Sequence, residues 1–430
     1  MTRRDLILAV MLALAFATAL IVWQWDNTHR DLNAVYIAAN FLAQGRPDLV
    51  YVATVDVFPD IASPEWQALQ EGRACAPICA YPFVYPPVWA WLASPLATAT
   101  TEQGFSNALL FINMPMLALV PLLAWRLWRP EMGAAKWTFR SIFLLFFTTV
   151  GTIGIANNQP QLAVTFLMLA AFEREVAGFR RLGGVLLGLA AALKIYPILL
   201  ALFWLRGGNR TSPAFAAGTA AGFAVLSFAV AGVDLNLAFL ETAAGLSSTL
   251  HPGSWNYSLP SAFGWLDIDA LRAARAAGEA WGPAVLAKGL GFAVLLGGLW
   301  LIHARRSLGD DLWRRRTLLP ALFALACLFG PIGWAHYFIV PLLALQTLPL
   351  VYGPRGQAMM LGLMLLAFWP LHVLARLDLN EDADKLGIMG AVFAVGTAVA
   401  LALAPYRRAA TSTSYRRLIR SSELSRAAAS

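Results

Sequence analysis

Long apolar runs separated by short polar segments extend along almost the whole chain. Runs of about 20 residues recur, and a helix needs about that length to cross the hydrocarbon core of a bilayer. The pattern predicts an all-α, polytopic integral membrane protein with about twelve transmembrane helices. The predicted spans are 5–23, 105–125, 138–156, 160–172, 182–193, 197–205, 213–233, 284–304, 317–333, 336–352, 357–375 and 386–405.

Composition supports this class of protein. Of the 430 residues, 59% are hydrophobic and 13% are charged, whereas about 25% of the residues of a soluble domain are charged. No polar block is long enough to fold separately, so residues 1–405 are predicted to form a single integral-membrane domain. Residues 406–430 are rich in Ser and Arg and are predicted to be a disordered, basic cytoplasmic tail.

The distribution of basic residues orients the predicted spans. Most of the 32 Lys and Arg fall in segments that the threading places on one side, which the positive-inside rule makes cytoplasmic. The net charge of +8 therefore indicates a lipid bilayer as partner and gives no reason to expect nucleic acid. Both termini are predicted to be cytoplasmic in a plasma or inner membrane. The predicted extracytoplasmic segments are 24–86, which carries juxtamembrane helices, 157–161, 234–283, 333–337 and 375–385.

An alternative threading also gives twelve spans. It makes 86–99 a full span and 182–205 a single helix. However, it places the basic loops 126–140 and 173–181 on the extracytoplasmic side, against the positive-inside rule. We prefer the first threading, in which 86–99 is a re-entrant or interfacial helix interrupted by prolines. The N-terminal apolar run resembles a signal peptide, but its length favours a retained membrane anchor.

Cysteine is scarce in this chain. Cys75 and Cys79 lie four residues apart in the predicted extracytoplasmic loop, whereas Cys327 lies within a predicted span. In an oxidising compartment the first two could form a disulfide or remain free. Two cysteines are too few for a metal site, and Cys327 has the position of a packing residue.

Asp31 is the first candidate for chemistry. It begins a segment whose apolar positions recur at helical spacing until Gly45 and Pro47 end it. One interpretation is that Asp31 only caps this helix, because Asp is favoured at that position. The other is that a carboxylate held at the membrane surface takes a proton from a hydroxyl. The two roles are compatible.

Lys194 is the second candidate. It lies within an apolar stretch, where a charge costs about 2.5–3.5 kcal/mol on insertion scales, and Pro197 follows and breaks the helix. Two short helices that meet at a lysine would place a cation where a lipid phosphate could sit. The alternatives are a lysine paired with an acid or one that snorkels to the interface.

Further polar groups occur in predicted extracytoplasmic turns. His336 lies in GPIGWAHYF at a turn between two spans, where it is a structural residue or a ligand for phosphate or a hydroxyl. Two more turns, NNQPQ at 157–161 and WNYSLPSAF at 255–263, are rich in hydrogen-bonding groups suited to a sugar, although ordinary polar loops look similar.

Six of these segments occur in an order that resembles glycosyltransferase family 87. They are RDLNAVYIAANFLAQGRPDLVY, YPFVYPP, NNQPQ, GLAAALKIYP, WNYSLPS and GWAHY. The likeness extends over about residues 5–405. It implies an integral-membrane enzyme with the fold of the GT-C superfamily, which takes a sugar, typically mannose, from a polyprenyl phosphate. One departure is the amide turn, because the family pattern has Gly-Gln followed by Asn where this chain has NNQPQ.

The resemblance also implies roles for particular residues. Asp31 would be the catalytic base, and Lys194 and His336 would lie near the donor phosphate. One base and one displacement predict inversion, and the resemblance implies a β-linked donor and an α-linked product. The expected acceptor is a glycolipid or glycan, and the sequence leaves a protein acceptor open. The side chains themselves suggest contacts to sugar or acceptor for Tyr36, Tyr85, Asn158, Gln159, Trp255, Asn256, Ser258, Trp334 and Tyr337. Among the amides Gln159 is the first choice, and Tyr36, Tyr85, Trp255 and Trp334 have packing in the core or the interface belt as the alternative role.

No cofactor beyond the donor substrate is expected. Relatives in other GT-C families often carry paired acids that bind a metal, but here Leu32 follows Asp31, which argues against an obligatory metal. The alternative function is a lipid or solute transporter or flippase. A transporter needs polar groups along a path through the midplane, whereas the candidate groups here, apart from Lys194, lie near one face.

Overall fold

The computed structural model describes residues 2–52, 61, 63–71, 79–206, 208–265, 267–277, 282–330, 332–370 and 386–406. Within them the chain is 79% helical and contains no strands, so the predicted all-α class is confirmed. Cys75, the predicted loop 375–385 and all but the first residue of the predicted tail lie outside the described residues.

Five helical stretches are long and apolar enough to cross a membrane. The other predicted spans correspond to shorter helices or to residues outside the described part of the chain, so the number twelve stays a prediction. The five stretches are Arg3–Gln24, Glu102–Trp128, Thr211–Ser248, Pro283–Arg305 and Ala335–Tyr352.

The helices of the first half begin and end close to the apolar runs of the sequence. They are α1 (Arg3–Gln24), α2 (Arg30–Ala43), α3 (Pro64–Ala68), α4 (Pro87–Ala99), α5 (Glu102–Trp128), α6 (Ala134–Phe147), α7 (Thr149–Ala156), α8 (Gln161–Val176), α9 (Arg180–Leu193), α10 (Ala201–Arg206) and α11 (Thr211–Ser248).

The second half contains shorter helices and several 3₁₀ turns, among them Ala335–Phe338. Its α-helices are α12 (Leu259–Gly264), α13 (Ile268–Ala276), α14 (Pro283–Arg305), α15 (Asp311–Arg316), α16 (Leu318–Leu328), α17 (Ile339–Ala344), α18 (Leu348–Tyr352), α19 (Pro354–Ala367) and α20 (Leu386–Ala402).

Small residues bring α9 and α11 close together. A Cβ atom at Gly184 would lie 2.3 Å from the carbonyl oxygen of Ser212, and one at Gly188 would lie 2.6 Å from that of Ala216. Two glycines four residues apart on one helix face let two backbones approach closely, which is a common way of packing helices in membranes. This contact fixes α9, whose C-terminal end carries Lys194.

The structure corrects two predicted boundaries. The predicted span 138–156 breaks at Thr148, which is extended (φ −115°, ψ 148°) and whose side chain caps α7. The predicted loop 234–283 is helical at first, because α11 continues to Ser248 through a kink at Gly232 (φ 78°, ψ 172°). A glycine tolerates this positive φ without strain.

The segment between α1 and α5 packs as a compact apolar unit. Leu32 and Ala38 of α2, Ala90 of α4 and Trp66 of α3 are buried in one cluster. The indole of Trp66 donates to the carbonyl of Leu49 at 2.7 Å, which joins α3 to the turn after α2. The predicted juxtamembrane helices are therefore held against each other by apolar burial, and α2 presents its first turn in a fixed position.

Candidate active site

Asp31 lies in the first turn of α2. The N-cap of this helix is His29, so the prediction that Asp31 caps the helix is wrong. The predicted C-terminal end of this helix is confirmed, because α2 ends at Ala43 and Gly45 follows with a φ of 73°. The next residues of α2 anchor it: Leu32 is buried, and the side-chain amide of Asn33 donates to the carbonyl of Cys79 at 2.9 Å.

The N-terminus of α2 is tied to α5 by buried polar groups. A ring nitrogen of His29 and the hydroxyl of Ser106 share a hydrogen bond, and the carbonyl of Ser106 accepts from the side-chain amide of Asn158 at 3.1 Å. Burial lowers the pKa of His29 to about 4, so this imidazole is neutral at physiological pH. The chain of contacts links the Asp31 helix to the amide turn at 157–161.

Asn158 and Gln159 of the amide turn have different hydrogen-bond partners. Asn158 is buried at a positive φ of 44°, and its side-chain oxygen accepts from Asn113 at 2.9 Å, so its amide is used for packing. Gln159 is buried too. Its Oε1 accepts from the hydroxyl of Tyr85 at 3.2 Å, and its side chain lies close enough to the Asp31 carboxylate to lower the pKa of that group.

Lys194 lies at the break that the sequence predicted. Helix α9 ends at Leu193, and Lys194 is extended (φ −144°, ψ 128°) before a 3₁₀ turn over Tyr196–Leu200. Its Nζ donates to the hydroxyl of Tyr337 at 2.9 Å and lies 4.3 Å from the centroid of the same ring. The ring of Tyr85 is 5.6 Å from Nζ on another side. The cation is therefore surrounded by aromatic groups.

The Lys194 charge acts directly on Asp31. Burial raises the pKa of the Asp31 carboxyl to about 6, while the charge of Lys194 and the hydrogen bond from Gln159 act in the opposite direction. The carboxylate is therefore ionised at neutral pH but retains the proton affinity of a useful general base. Asp31, Gln159, Lys194, Tyr85 and Tyr337 form one constellation, which we name the acid–lysine site.

His336 lies beside this site on the 3₁₀ turn Ala335–Phe338. It is buried, and its ring meets that of Tyr337 edge-on at 5.0 Å. Neither ring nitrogen has a hydrogen-bond partner in the described part of the structure. Gly154 makes room for it, because a Cβ there would lie 3.1 Å from the Cβ of His336. A buried imidazole without partners is costly unless a ligand satisfies it.

The WNYSLPS segment positions the His336 turn. The amide of Ala335 donates to the carbonyl of Trp255 at 2.7 Å, and that of Tyr257 to the carbonyl of Gly333 at 2.8 Å. Buried Asn256 accepts from Gly333 at 2.8 Å. Two further candidates lie on the same two segments: Ser258 caps α12, and Trp334 forms a backbone bridge with Asn256. The contacts of Asn256 and Ser258 in the structure are positioning contacts.

Tyr36 is separate from the acid–lysine site. Its hydroxyl donates to the carbonyl of Thr100 at 3.3 Å, and its ring packs against Phe105 with centroids 5.6 Å apart. These contacts join α2 to α5. Of the residues proposed from sequence, Asp31, Tyr85, Gln159, Lys194, His336 and Tyr337 come together, whereas Tyr36 and Asn158 stand apart in supporting roles.

Two residues at the site, Tyr196 and Gln161, were not predicted individually from the sequence. Tyr196 stacks on Tyr337 with centroids 5.5 Å apart and planes inclined by 15°, and its hydroxyl accepts from Gln161 at 2.7 Å. Both lie in segments that the sequence analysis had singled out: Tyr196 follows Lys194 by two residues in KIYP, and Gln161 follows Gln159 by two residues in NNQPQ. Nothing in a single sequence shows that the two segments meet.

The disulfide and metal predictions stay open. Cys79 is buried, and its amide donates to Gln70 at 2.7 Å, but Cys75 lies outside the described residues. Among the residues that the structure describes, no three His, Cys, Asp or Glu side chains could hold a metal ion together. Whether the chemistry needs a metal is therefore still a prediction from the sequence.

An apolar groove begins next to Lys194. It has a volume of about 270 Å³ and lies between α4, the end of α9 and α11, with Ala192, Ile195, Phe223 and Phe239 among its walls. The polar side chains of the groove, Ser227 and Asn236, bond to each other at 2.7 Å. The groove therefore offers an almost entirely apolar surface at the residues that flank Lys194 in the chain.

Comparison with known proteins gives one result. The family model of glycosyltransferase family 87 matches residues 83–331, which is more than half of the chain. The matched region includes the amide turn, Lys194 and the WNYSLPS segment, and it ends shortly before His336. No curated protein and no solved structure matches the chain.

Proposed function

The chain belongs to glycosyltransferase family 87, and from this premise we propose that it transfers a mannose-type hexosyl group from a polyprenyl-phosphate donor. The acceptor is a hydroxyl of a glycolipid or glycan at the extracytoplasmic membrane surface. The observation that carries the proposal is the acid–lysine site, where a carboxylate with a pKa of about 6 lies beside a lysine. Family membership favours a transferase over the alternative of a transporter or flippase.

The groove and the cation support a lipid phosphate as leaving group. A polyprenyl chain needs an apolar surface, which the groove beside Lys194 provides. Its phosphate needs a cation and a hydrogen-bond donor, and we assign these roles to Lys194 and to the unpartnered imidazole of His336, which both contact Tyr337. Donors fixed before the reaction stabilise the negative charge that develops on the phosphate.

The proposed step is a single displacement. The acceptor oxygen forms a bond to the anomeric carbon while the bond from that carbon to the phosphate oxygen breaks, and the electron pair of that bond leaves with the phosphate. Asp31 takes the proton of the attacking hydroxyl. Gln159 holds the carboxylate and Tyr85 holds Gln159, with hydrogen bonds that do not involve the reacting proton. Attack opposite the leaving group inverts the anomeric centre, so a β-linked donor gives an α-linked product.

The donor is the most direct test. Purified protein in nanodiscs is given radiolabelled polyprenyl-phosphate-mannose or a nucleotide-activated mannose, together with a membrane lipid extract. We expect label to enter the extract from the lipid donor alone, in an α linkage by NMR. Transfer from the nucleotide sugar alone would contradict the lipid-donor proposal, and a β-linked product from a β-linked donor would contradict the single displacement.

A matched pair of variants tests the site. Lys194→Gln removes the cation next to the groove, and we expect the KM for the lipid donor to rise together with a fall in kcat. Lys136→Gln removes an exposed lysine of α6 and should leave both constants unchanged. Equal effects of the two substitutions would show that the position of the Lys194 charge is unimportant.

A further inference from the structure

A second cavity lies at the opposite end of α9 from the acid–lysine site. Its volume is about 390 Å³, and its walls come from the start of α9, the end of α14, and α15. Helix α9 contains 14 residues, and at 1.5 Å per residue this separates the cavity from Lys194 by about 20 Å. The cavity is therefore distinct from the proposed active site, and a ligand bound there would take no part in the proposed reaction.

Three arginines from different elements line the cavity. Arg180 begins α9, Arg306 follows the last turn of α14, and Arg314 lies on α15. Within the described part of the chain, neither Arg180 nor Arg306 forms an ion pair with a carboxylate, and Arg314 is 3.7 Å from Asp311. Two guanidinium groups thus line one cavity without a carboxylate within ion-pair distance, which leaves their charge available to an anionic ligand.

The two acids of the cavity have their closest polar contacts with other residues, and the charge of Arg180 acts on Glu175 from beyond ion-pair distance. Glu175 accepts from the side-chain amide of Asn209 at 3.0 Å, and Asp311 forms a closer ion pair, at 2.9 Å, with Arg315. His303 also lines the cavity, and its Nδ1 is buried with no hydrogen-bond partner among the described residues. The cavity therefore combines unpaired positive charge with an unsatisfied imidazole nitrogen.

Most of the remaining cavity wall is apolar, and part of it belongs to a lipid-facing helix. The apolar lining residues are Leu202, Phe203, Trp204, Leu299, Ile302, Leu318 and Leu322. On α14, a candidate membrane span, Trp300 is 69% exposed and Leu296 is 53% exposed. Large apolar side chains that face outward on a membrane span contact lipid tails, so the arginines at the end of α14 lie at the level of lipid headgroups.

We propose that this cavity binds the headgroup of an anionic membrane phospholipid. The phosphate is shared by the guanidinium groups of Arg180 and Arg306, which suit bidentate hydrogen bonding to phosphate oxygens. The acyl chains extend along the exposed apolar face of α14. Basic cavities between membrane helices bind acidic lipids in this way, and the bound lipid joins α9 to α14 and α15.

Lipid titration of the full-length protein tests the proposal. The protein is purified in detergent, and binding of phosphatidylglycerol or phosphatidylcholine is followed by native mass spectrometry. We expect one site at which phosphatidylglycerol binds at least about 10-fold more tightly than phosphatidylcholine, and a loss of about 10- to 30-fold in that affinity for Arg180→Gln/Arg306→Gln. Equal binding of the two lipids would overturn the proposal.

Control variants and a competition experiment with inorganic phosphate distinguish a lipid site from other causes of binding. Lys136→Gln/Arg355→Gln removes two exposed cations outside the cavity and should keep wild-type affinity, and Arg180→Lys/Arg306→Lys should keep most of it. An equal loss of phosphatidylglycerol affinity in Lys136→Gln/Arg355→Gln would show that only the net charge of the protein is important. That result would overturn the proposed site. Displacement of phosphatidylglycerol by inorganic phosphate at equal concentration would show a free-anion site instead of a lipid site.

Discussion

The ammonium group of Lys194 donates a hydrogen bond of 2.9 Å to the hydroxyl of Tyr337, a residue 143 positions away in the chain. The same ammonium lies 4.3 Å from the centroid of that ring. The break after α9 and the 3₁₀ turn that carries His336 therefore fix each other through one cation and one tyrosine. This contact decides where the positive charge of the acid–lysine site lies.

Removing the Tyr337 hydroxyl should weaken the site without unfolding it. Tyr337→Phe keeps the ring and its stacking on Tyr196 but loses a hydrogen bond to a charged group, and such bonds contribute about 1.5–3 kcal/mol. We expect kcat/KM to fall by about 10-fold or more with little change in Tm. Tyr352→Phe, which loses a 2.7 Å bond to the carbonyl of Ala400, is the control. An equal fall in kcat/KM in both variants would assign the effect to general packing.

His336 should be more important for activity than for stability. His336→Leu replaces a buried ring whose two nitrogens have no partner among the described residues with an apolar side chain of similar size. Removing unsatisfied buried polar atoms is close to neutral or stabilising. We expect Tm to be maintained or raised while transfer falls by at least about 10-fold. A large drop in Tm with unchanged activity per folded molecule would show that His336 is a packing residue.

The pH dependence of transfer should follow Asp31. A base with a pKa of about 6 is deprotonated above that pH and protonated below it, so activity should rise with pH between about 5 and 7. Below the pKa, kcat/KM should fall by about tenfold per pH unit. The measurement is kcat/KM from pH 4.5 to 8 in nanodiscs. A rate that does not change between pH 5 and 8 is incompatible with Asp31 as the base.

The close packing of α9 on α11 should be sensitive to side-chain volume. Gly188→Leu places atoms where even a Cβ would be 2.6 Å from the carbonyl of Ala216, and such overpacking typically costs about 1–3 kcal/mol. We expect a lower Tm in detergent. Gly218→Leu is the matched control, because a Cβ at Gly218 would have no atom within 4 Å. Similar Tm values for both variants would argue against the close contact.

Sequence patterns predicted those features of this protein that depend on neighbouring residues. The helix over Arg30–Ala43, its end at Gly45 and the break at Lys194 all follow from local spacing and from glycine and proline. The kink at Gly232 and the break at Thr148 occur within apolar runs, where hydropathy does not distinguish a continuous helix from a broken one.

The composition of the site could be predicted only in part. Asp31, Lys194 and His336 stand out in the sequence, because ionisable side chains within or beside apolar runs are costly and often have a functional role. The supporting contacts join residues that are far apart in sequence: Tyr85 and Gln159 are 74 positions apart, and His29 and Ser106 are 77 apart. No local pattern shows that Gln159 faces Asp31 whereas Asn158 packs against α5.

The most direct test of the account is the transfer rate of Asp31→Asn with polyprenyl-phosphate-mannose as donor. The side-chain carbonyl of an asparagine can still accept the hydrogen bond from Gln159, so the fold should be kept while the base is lost. We predict a fall in kcat of about 10²–10⁴, with an unchanged size-exclusion profile. Asp48→Asn, at a side chain that is 60% exposed, should keep wild-type kcat. A kcat for Asp31→Asn within about threefold of wild type would contradict the central claim.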